Sequence, residues 1–558
     1  MASQSPPPKR MANSERLEAL GAAIDRRFSS KSSARGGAPN ARRHRVRWGR
    51  LVVFSVLGLV LVLVLGVVAD YFYLGSKINH IHVSNIQSAN GPENILLVGS
   101  TNRCALKVQN KAYGLCQDGV NGINGDIVMI VHVNPATRQL ALLSVPRDLF
   151  VPNARQSGAN KIDAALYEGP SQLAAAIEED FAIPINHYVE LNFDTFASVV
   201  NALGGVYMYF PVPIFDAESG LNIPHPGCRL LDGYHALQVV RARHLQIQNN
   251  PKNHDFRTWP QEAQSDIARI RRTHEFLRVL ASKVASRGLG NPFTDQSIVS
   301  SVIGSLQVDQ NFSENHMITL ARDFATANIA NIPQLTYPVV EVQNGSLLYR
   351  GYYYGDVEFP VQPAGQATLD TIFQVGANQN SFNYDTLPEA KSFKVSVENG
   401  TNIAGQAATI ATALTKRGFD VQSTGSRTPD GIANETTVFY GGPPPPASAN
   451  WNSPALAAAE KVLNQLSGPA ILGYDPSEVT PGALVTVQTG NGIGVLSTMK
   501  RTTTTTSKKK SGAPVATTTT TTTRSTASNL FSAPTPTNQP LEPYDPRACN
   551  AAHNGPAT

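Results

Sequence analysis

The chain has 558 residues, 41% of them hydrophobic and 16% charged, with a formal net charge of +5. That length exceeds what one hydrophobic core usually serves, so two or more folded units are expected. An ordinary globular composition excludes a chain disordered throughout, and the positive charge is concentrated rather than spread.

Residues 1–49 are basic, carry Pro, Ser and Gly, and lack apolar periodicity, which predicts a disordered cytoplasmic tail. Arg42, Arg43, Arg45, Arg47 and Arg50 crowd before the apolar run Leu51 to Ala69. A helix needs about 20 such residues to cross a hydrocarbon core, so 50–71 reads as a transmembrane helix. A secretory signal has a shorter apolar region and a small-residue cleavage site. The arginine excess places the N-terminus in the cytoplasm and the remainder outside. The positive-inside rule accounts for this charge without nucleic acid. Residues 72–90 form a polar connector. Cys104, Cys116, Cys228 and Cys549 all lie on the exported side, where disulfides are permitted. The short polar loop makes Cys104–Cys116 the first choice, with Cys228 open as an alternative partner. No Cys-x-x-Cys or Cys/His grouping suggests a metal.

"NILLVG" (94–99), "DIVMIVHV" (126–133) and "QLALLSV" (139–145) read as strands, the last two joined as an antiparallel hairpin by "NPATR". Residues 171–181 read as a helix with a serine cap, and 194–203 as one with an aspartate cap. "GVYMYFPVPIF" reads as a strand broken by prolines, "GYHALQVVRARH" as a short helix turning into strand, and 265–286 as a long helix. Further helical pattern fills 294–328. Helices and strands interleaved in this way predict a layered α/β domain over 91–375. A smaller α/β module over 388–495 follows β-α-β-β-α-β order, with Ser453 capping the helix that starts at Pro454. It shows no catalytic grouping and reads as a binding or spacing module. The Thr-, Lys- and Pro-rich residues 496–558 predict a disordered tail.

Several charges sit at the ends of apolar elements. Arg147 and Asp148 end the strand in "LLSVPRDLF", and Asp126 starts its hairpin partner, so the three share one sheet edge. Arg241 and Arg243 lie two apart on a presumed strand and point to one face. Asp266, Arg269 and Thr273 share a helix face, with Arg272 one turn on from Arg269 and Ile267, Ile270, Leu277 and Ala281 as the core stripe. Singly, each group reads as a solvated turn or helix face. Together, so many arginines near carboxylates call for an anion. Arginine's planar fork matches phosphate oxygens, and a pyrophosphate needs several forks. A carboxylate among them can hold a divalent cation bridging the phosphates. No P-loop, GxSxG or HExxH motif is present. An exported phosphate-ester site is the reading of the residues.

"NILLVGS", "DIVMIVHVNP", "LLSVPRDLF", "NKIDAAL", "LDGYHALQVVRARH" and "DIARIRRTHEFL", in that order over about 94–285, resemble the LytR-CpsA-Psr family of cell-wall glycopolymer ligases. "VSVENGTNIAGQAATIATALTKRGFDV" and "TTVFYG" look like the C-terminal LytR domain that accompanies the family in actinobacteria. The resemblance implies a layered α-β-α domain with a central mixed sheet and an apolar tunnel for a lipid tail. It implies transfer of a polyprenyl-pyrophosphate-linked glycopolymer, arabinogalactan or similar, onto a peptidoglycan muramic acid hydroxyl through a phosphodiester, assisted by Mg²⁺. Carried onto this chain, the catalytic group is Arg147, Asp148, Arg241, Arg243, Asp266 and Arg269. Arg103, Lys161 and Arg272 join Arg147, Arg241 and Arg243 on the pyrophosphate, and Asp126 is the metal ligand. The chain departs from the pattern at Thr101, where the family has an acid, at Asn124, where it has an arginine, and at Thr273, where it has glutamine. Loss of a carboxylate lowers the expected Mg²⁺ affinity. Two other readings stand beside the ligase: a non-catalytic binder of lipid-linked glycopolymer or peptidoglycan, and a lipid pyrophosphate phosphatase.

Overall fold

The computed structural model describes residues 79–84, 86, 91–105, 115–118, 122–263, 265–286, 306–324, 332–341, 347–373, 387–426, 433–442, 453–496 and 540–549. The basic N-terminal segment and the apolar run expected to cross a membrane lie outside them. Among the described residues, no helix is long and apolar enough to span a bilayer.

β1 (Asn79–Ile81) and β2 (Glu93–Ser100) open the first domain. β3 (Gly125–Asn134) and β4 (Gln139–Val145) form the hairpin, with Val128 opposite Val145. Asn134 Oδ1 accepts from the Thr137 N–H and closes the turn. α1 (Pro170–Phe181), β5 (His187–Leu191) and α2 (Phe193–Ala202) follow. Neither helix uses the expected cap. Proline's fixed φ starts α1 at Pro170, ahead of Ser171, and α2 is capped by Asn192, whose side chain accepts from the Thr195 N–H. Burial of Phe193 at the first position of α2 leaves Asp194 inside the helix.

β6 (Val206–Phe210) and β7 (Gly227–Leu231) pair antiparallel, and α3 (Gly233–Arg241) is capped by Asp232. A Cβ on Gly233 would lie 2.2 Å from the Ala197 carbonyl oxygen, so only glycine lets α2 and α3 meet this closely. α4 (Ser265–Ser286), β8 (Gln307–Asp309), α5 (Glu314–Phe324) and β9 (Gln334–Thr336) complete the layers. The sheet runs β1-β8-β5-β2-β3-β4-β9 and is mixed, with β2 parallel to β5 and antiparallel to β3. Alternation along β2 decides its two faces. Leu96 and Val98 pack with Leu173, Ile177 and Phe181 of α1, while Ile95 and Leu97 face the cluster around Val189, Val308 and Leu320. α2, α3 and α4 share a third cluster around Phe193, Val200, Leu237, Val240 and Phe276. The fold is the layered α/β architecture expected from sequence.

The boundary with the second module differs from the expected one. β10 (Val339–Glu341) and β11 (Glu358–Gln362) fall within 91–375, yet they extend the sheet of the second module. α6 (Ala364–Phe373) returns to the first domain, where Ile372 and Phe373 enter the core. The second module contains β12 (Lys394–Asn399), α7 (Gln406–Lys416), β13 (Asp420–Ser426), β14 (Thr436–Tyr440), α8 (Pro454–Leu463), β15 (Leu466–Tyr474) and β16 (Val485–Thr489). Its sheet runs β10-β11-β15-β14-β16-β12-β13, with residues 494–495 pairing off β15. All five residues of β11 are buried, and its edge finds its partner in β15, Val361 lying opposite Pro469.

The second correction concerns the tail. β17 (Arg547–Ala548) pairs with β6, Asp545 is fully buried, and Cys549 is bonded to Cys228. Composition over 496–558 predicts disorder, but residues 540–549 fold onto the first domain because two buried arginines there need a counter-charge.

Candidate active site

The β3–β4 hairpin does what its register requires: it sets Asp126, near the start of β3, beside Arg147, just past the end of β4. Arg147 Nη1 lies 2.5 Å from Asp126 Oδ1. Asp148 accepts from Lys161 Nζ at 2.8 Å, Arg243 Nη2 at 2.9 Å and Arg147 Nε at 3.3 Å. Asp266 takes Arg269 Nη2 at 2.9 Å and Arg243 Nε at 3.4 Å, and Arg269 Nη1 donates to the Asp126 carbonyl at 2.6 Å. Four cations and three carboxylates thus form one continuous network.

Burial opposes the charge on Arg147, but Asp126, Asp148, Asp163 and Asp266 outweigh it and hold the guanidinium above its ordinary range. Burial also opposes ionisation of Asp148, and Arg147, Lys161 and Arg243 more than reverse that, keeping it a carboxylate below the usual range. Asp148 is therefore a fixed negative anchor that holds three cations in place.

Beneath this network lies an apolar cavity of about 340 Å³, walled by Leu97 and Val189 of the sheet and by Phe196, Leu237, Val240 and Phe276 of the helices. Arg147, Arg241, Arg243, Arg269 and Asp126 also line it, which puts the charge at one part of an otherwise greasy hollow. Asp126 is the one carboxylate among its described lining residues.

Arg241 and Arg243 do not sit on a strand. The Asp232 cap extends α3 through Arg241, and Arg243 follows in the connection after it. They still reach the cavity by separate routes: Arg241 lies 4.6 Å over the Phe193 ring, and Arg243 bonds Asp148. Arg103 approaches the same ring at 5.9 Å, next to the Cys104–Cys116 disulfide. Lys161 acts on Asp148 and is not a lining residue of the cavity.

Arg272 departs from the expectation. It is fully buried, with Glu262 and the Ala242 carbonyl as hydrogen-bond acceptors, and Asp545 lies 3.8 Å away. Arg271 bonds both Glu262 and Asp545. Buried carboxylates claim these guanidinium groups, so Arg272 braces α4 rather than lining the cavity. The amphipathic reading of α4 fails for the same reason, since residues 266–276 are all buried.

Thr101 and Asn124 hold each other. The Thr101 N–H donates to the Asn124 carbonyl at 3.0 Å, and the Asn124 N–H to Thr101 Oγ1 at 3.1 Å. They tie the end of β2 to the start of β3. Thr273 lines the cavity and donates back to the Arg269 carbonyl.

Sequence reasoning missed Phe193, Asp163, Glu262 and Asp545. Asp163 is an acid inside the apolar "NKIDAAL", a recognisable signal. Asp545 had an indirect one: with Cys104 bonded to Cys116, the remaining cysteines, Cys228 and Cys549, draw the tail back.

Asp163 carries a pH prediction. Burial pushes its carboxyl up to about 7, against the pull of Arg147 and with help from Asp148 and Asp126. The unfolded carboxyl titrates near its ordinary value of about 4, so between those two values the folded chain binds the extra proton. Stability falls as pH rises through that window, and the loss is complete above it. Asp163→Asn removes this term. Urea midpoints should show the variant gaining on the parent between pH 5 and pH 8; parallel profiles would refute the assignment.

The LytR_cpsA_psr family profile matches residues 73–358, and that of the LytR cell envelope-related transcriptional attenuator matches 392–492. The "Probable cell wall biosynthesis protein LcpB" of Corynebacterium glutamicum is 33% identical over 278 residues, which is 49% of this chain and 61% of that protein. The cell wall biosynthesis protein LcpA of the same organism is 24% identical over 471 residues, covering 76% of this chain and 84% of LcpA. The polyisoprenyl-teichoic acid–peptidoglycan teichoic acid transferase TagU of Bacillus anthracis is 23% identical over 282 residues, 49% of this chain and 83% of TagU. Among solved structures, a LytR-Csp2A-Psr enzyme from Actinomyces oris aligns with a TM-score of 0.39 at 21% identity, covering 47% of this chain and 88% of that one. The first family profile spans just over half of the chain and takes in the whole charged network, so the chain belongs to the LytR-CpsA-Psr family.

Proposed function

We propose that the protein transfers a glycopolymer from a polyprenyl pyrophosphate to peptidoglycan through a phosphodiester bond. The observation that carries this is the pairing of an apolar cavity with Arg147, Arg241, Arg243 and Arg269 at its charged part. A polyprenyl chain belongs in the hollow and its pyrophosphate on the guanidinium forks. The name of the TagU relative, which specifies a polyisoprenyl-linked donor and peptidoglycan as acceptor, supports the same reaction class here.

In this reading a muramic acid hydroxyl attacks the phosphorus that carries the sugar. The new P–O bond joins polymer to peptidoglycan, and the bond to the bridging oxygen breaks, releasing polyprenyl phosphate. Arg147, Arg243 and Arg269 neutralise the charge that grows on the phosphates. Asp148 and Asp266 keep those arginines in place. Mg²⁺ fits this site through Asp126, which lines the cavity and retains partial solvent exposure, since this ion is commonly held by one or two carboxylates plus phosphate oxygens. When bound, it would supply further charge neutralisation on the phosphates. Leu51 to Ala69 would anchor the enzyme in the membrane with its N-terminus inside and the folded domains beside the donor. Arabinogalactan is one candidate polymer.

The Thr101–Asn124 pairing favours a second reading. Neutral residues stand where the family pattern has an acid and an arginine, which suits a non-catalytic binder of the same lipid-linked polymer. One experiment separates the two. The full chain in detergent is given a polyprenyl-pyrophosphate oligosaccharide and peptidoglycan fragments, with and without Mg²⁺. Polymer-linked muropeptide that disappears in Asp126→Ala supports the ligase. Tight donor binding without product supports the binder, and monophosphate released without acceptor supports a phosphatase.

A further inference from the structure

At the opposite end of β2 from the arginine network lies a second cluster of groups that the proposed transfer does not use. Glu93 starts the eight-residue β2 and Ser100 ends it; seven steps of about 3.3 Å put the two ends roughly 23 Å apart. Glu93, His187 at the start of β5 and His316 in α5 turn their ligand atoms toward one point, all within 4.8 Å of one another. His316 Nε2 lies 2.9 Å from Glu93 Oε2, and His187 Nε2 lies 3.7 Å from the same oxygen. Two imidazoles and a carboxylate at these spacings come close to the roughly 3.3 Å between ligand atoms of a tetrahedral ion with bonds of about 2.0–2.1 Å.

The surroundings decide what the cluster wants. His187 Nδ1 faces Asp309 Oδ2 at 3.1 Å. Asp309 is fully buried and also accepts from the N–H groups of Tyr188 and Asn311, so its carboxylate is fixed. A carboxylate at Nδ1 favours the ring N–H there and turns Nε2 toward the Glu93 carboxylate. The space between that nitrogen and the Glu93 carboxylate is one that a proton or a metal cation fills, and the approach of His316 to the same oxygen supplies the third ligand atom that a metal needs. A carboxylate holding the far nitrogen is also how metal-bound histidines are oriented. The Phe312 ring stacks on His187 at 4.0 Å with 15° between planes, which fixes the imidazole in this orientation. Glu93 and His187 are buried while His316 is partly exposed, so an ion has both a preformed seat and a route in.

We propose that Glu93, His187 and His316 bind Zn²⁺, with Asp309 as the carboxylate that orients His187. Imidazole nitrogen with one carboxylate suits zinc better than Mg²⁺ or Ca²⁺, which prefer all-oxygen sites. The ion would clasp β2, β5 and α5. Asp309 is the last residue of β8, whose neighbour is β1, and its carbonyl also contacts His80 Nδ1 at 3.0 Å. The site therefore secures the edge of the sheet that holds β1.

The test uses the full chain without a histidine tag, dialysed against zinc and then against buffer. One zinc per chain and a thermal midpoint raised by several degrees and reversed by EDTA are expected. His316→Gln, at the partly exposed ligand, should fold normally and lose both the bound zinc and the midpoint rise. Asp309→Asn should keep the fold and weaken zinc affinity about 10- to 100-fold. Asp126→Ala should leave zinc binding unchanged, which separates this ion from one at the arginine network. No bound zinc, or the same zinc content in His316→Gln as in the parent, overturns the proposal.

Discussion

Replacing Arg147 by alanine is expected to lower glycopolymer transfer by about 10²- to 10³-fold while the chain stays folded. Arg147 reaches Asp126 and Asp148 and lines the cavity, so it is the group that joins the hairpin and the carboxylates to the cavity where the proposal seats the phosphates. Under the proposed transfer, its removal would take a preorganised donor away from the charge that develops on the phosphates. Asp148 keeps Lys161 and Arg243, so the rest of the network is not left bare. Arg147→Lys should recover only part of the rate, because a point charge cannot replace two forked donors. Transfer rates at saturating donor, set against urea midpoints for each variant, check this. A rate within about threefold of the parent, with folding intact, would remove Arg147 from the reaction.

Asp545→Ala should destabilise the protein by about 3–5 kcal/mol, more than any substitution at the cavity mouth. Arg271 and Arg272 are both buried, and their carboxylate partners are Glu262 and Asp545. Without Asp545, two guanidinium groups share one acid in a place that water does not reach. The same helix carries Asp266 and Arg269, so the loss should also lower the transfer rate through misplacement of those residues. Adding Arg271→Met to Asp545→Ala should recover much of the stability, since it removes the excess charge instead of rematching it. The comparison is made by urea denaturation with the Cys228–Cys549 bond intact. A loss under about 1 kcal/mol would mean that the arginines are satisfied without the tail.

The arginine network was legible because it is built on local rules. A hairpin turn at "NPATR" brings Asp126 to Arg147, and both charges lie at the ends of apolar strands. Helical spacing likewise placed Asp266 beside Arg269. What escaped was decided by distant partners. Whether Arg272 faces a phosphate or a carboxylate depends on Glu262 and on Asp545, the latter about 270 residues away in a segment whose composition reads as disorder. β10 and β11 could not be assigned to the second module from their own residues, because an edge strand's partner is chosen by the surface it meets. The helix runs on through Arg241 where a strand is expected, because apolar "LQVV" suits either state and the Asp232 cap favours helix.

The Cys228–Cys549 bond has a consequence for how the molecule comes apart. Everything from residue 229 to 548, the entire second module included, lies within a covalently closed ring. A single protease cut in residues 497–539 would open that ring without releasing a fragment, and the nicked chain would still migrate as one piece until a reductant was added. The second module is consequently tethered to its neighbour at both ends.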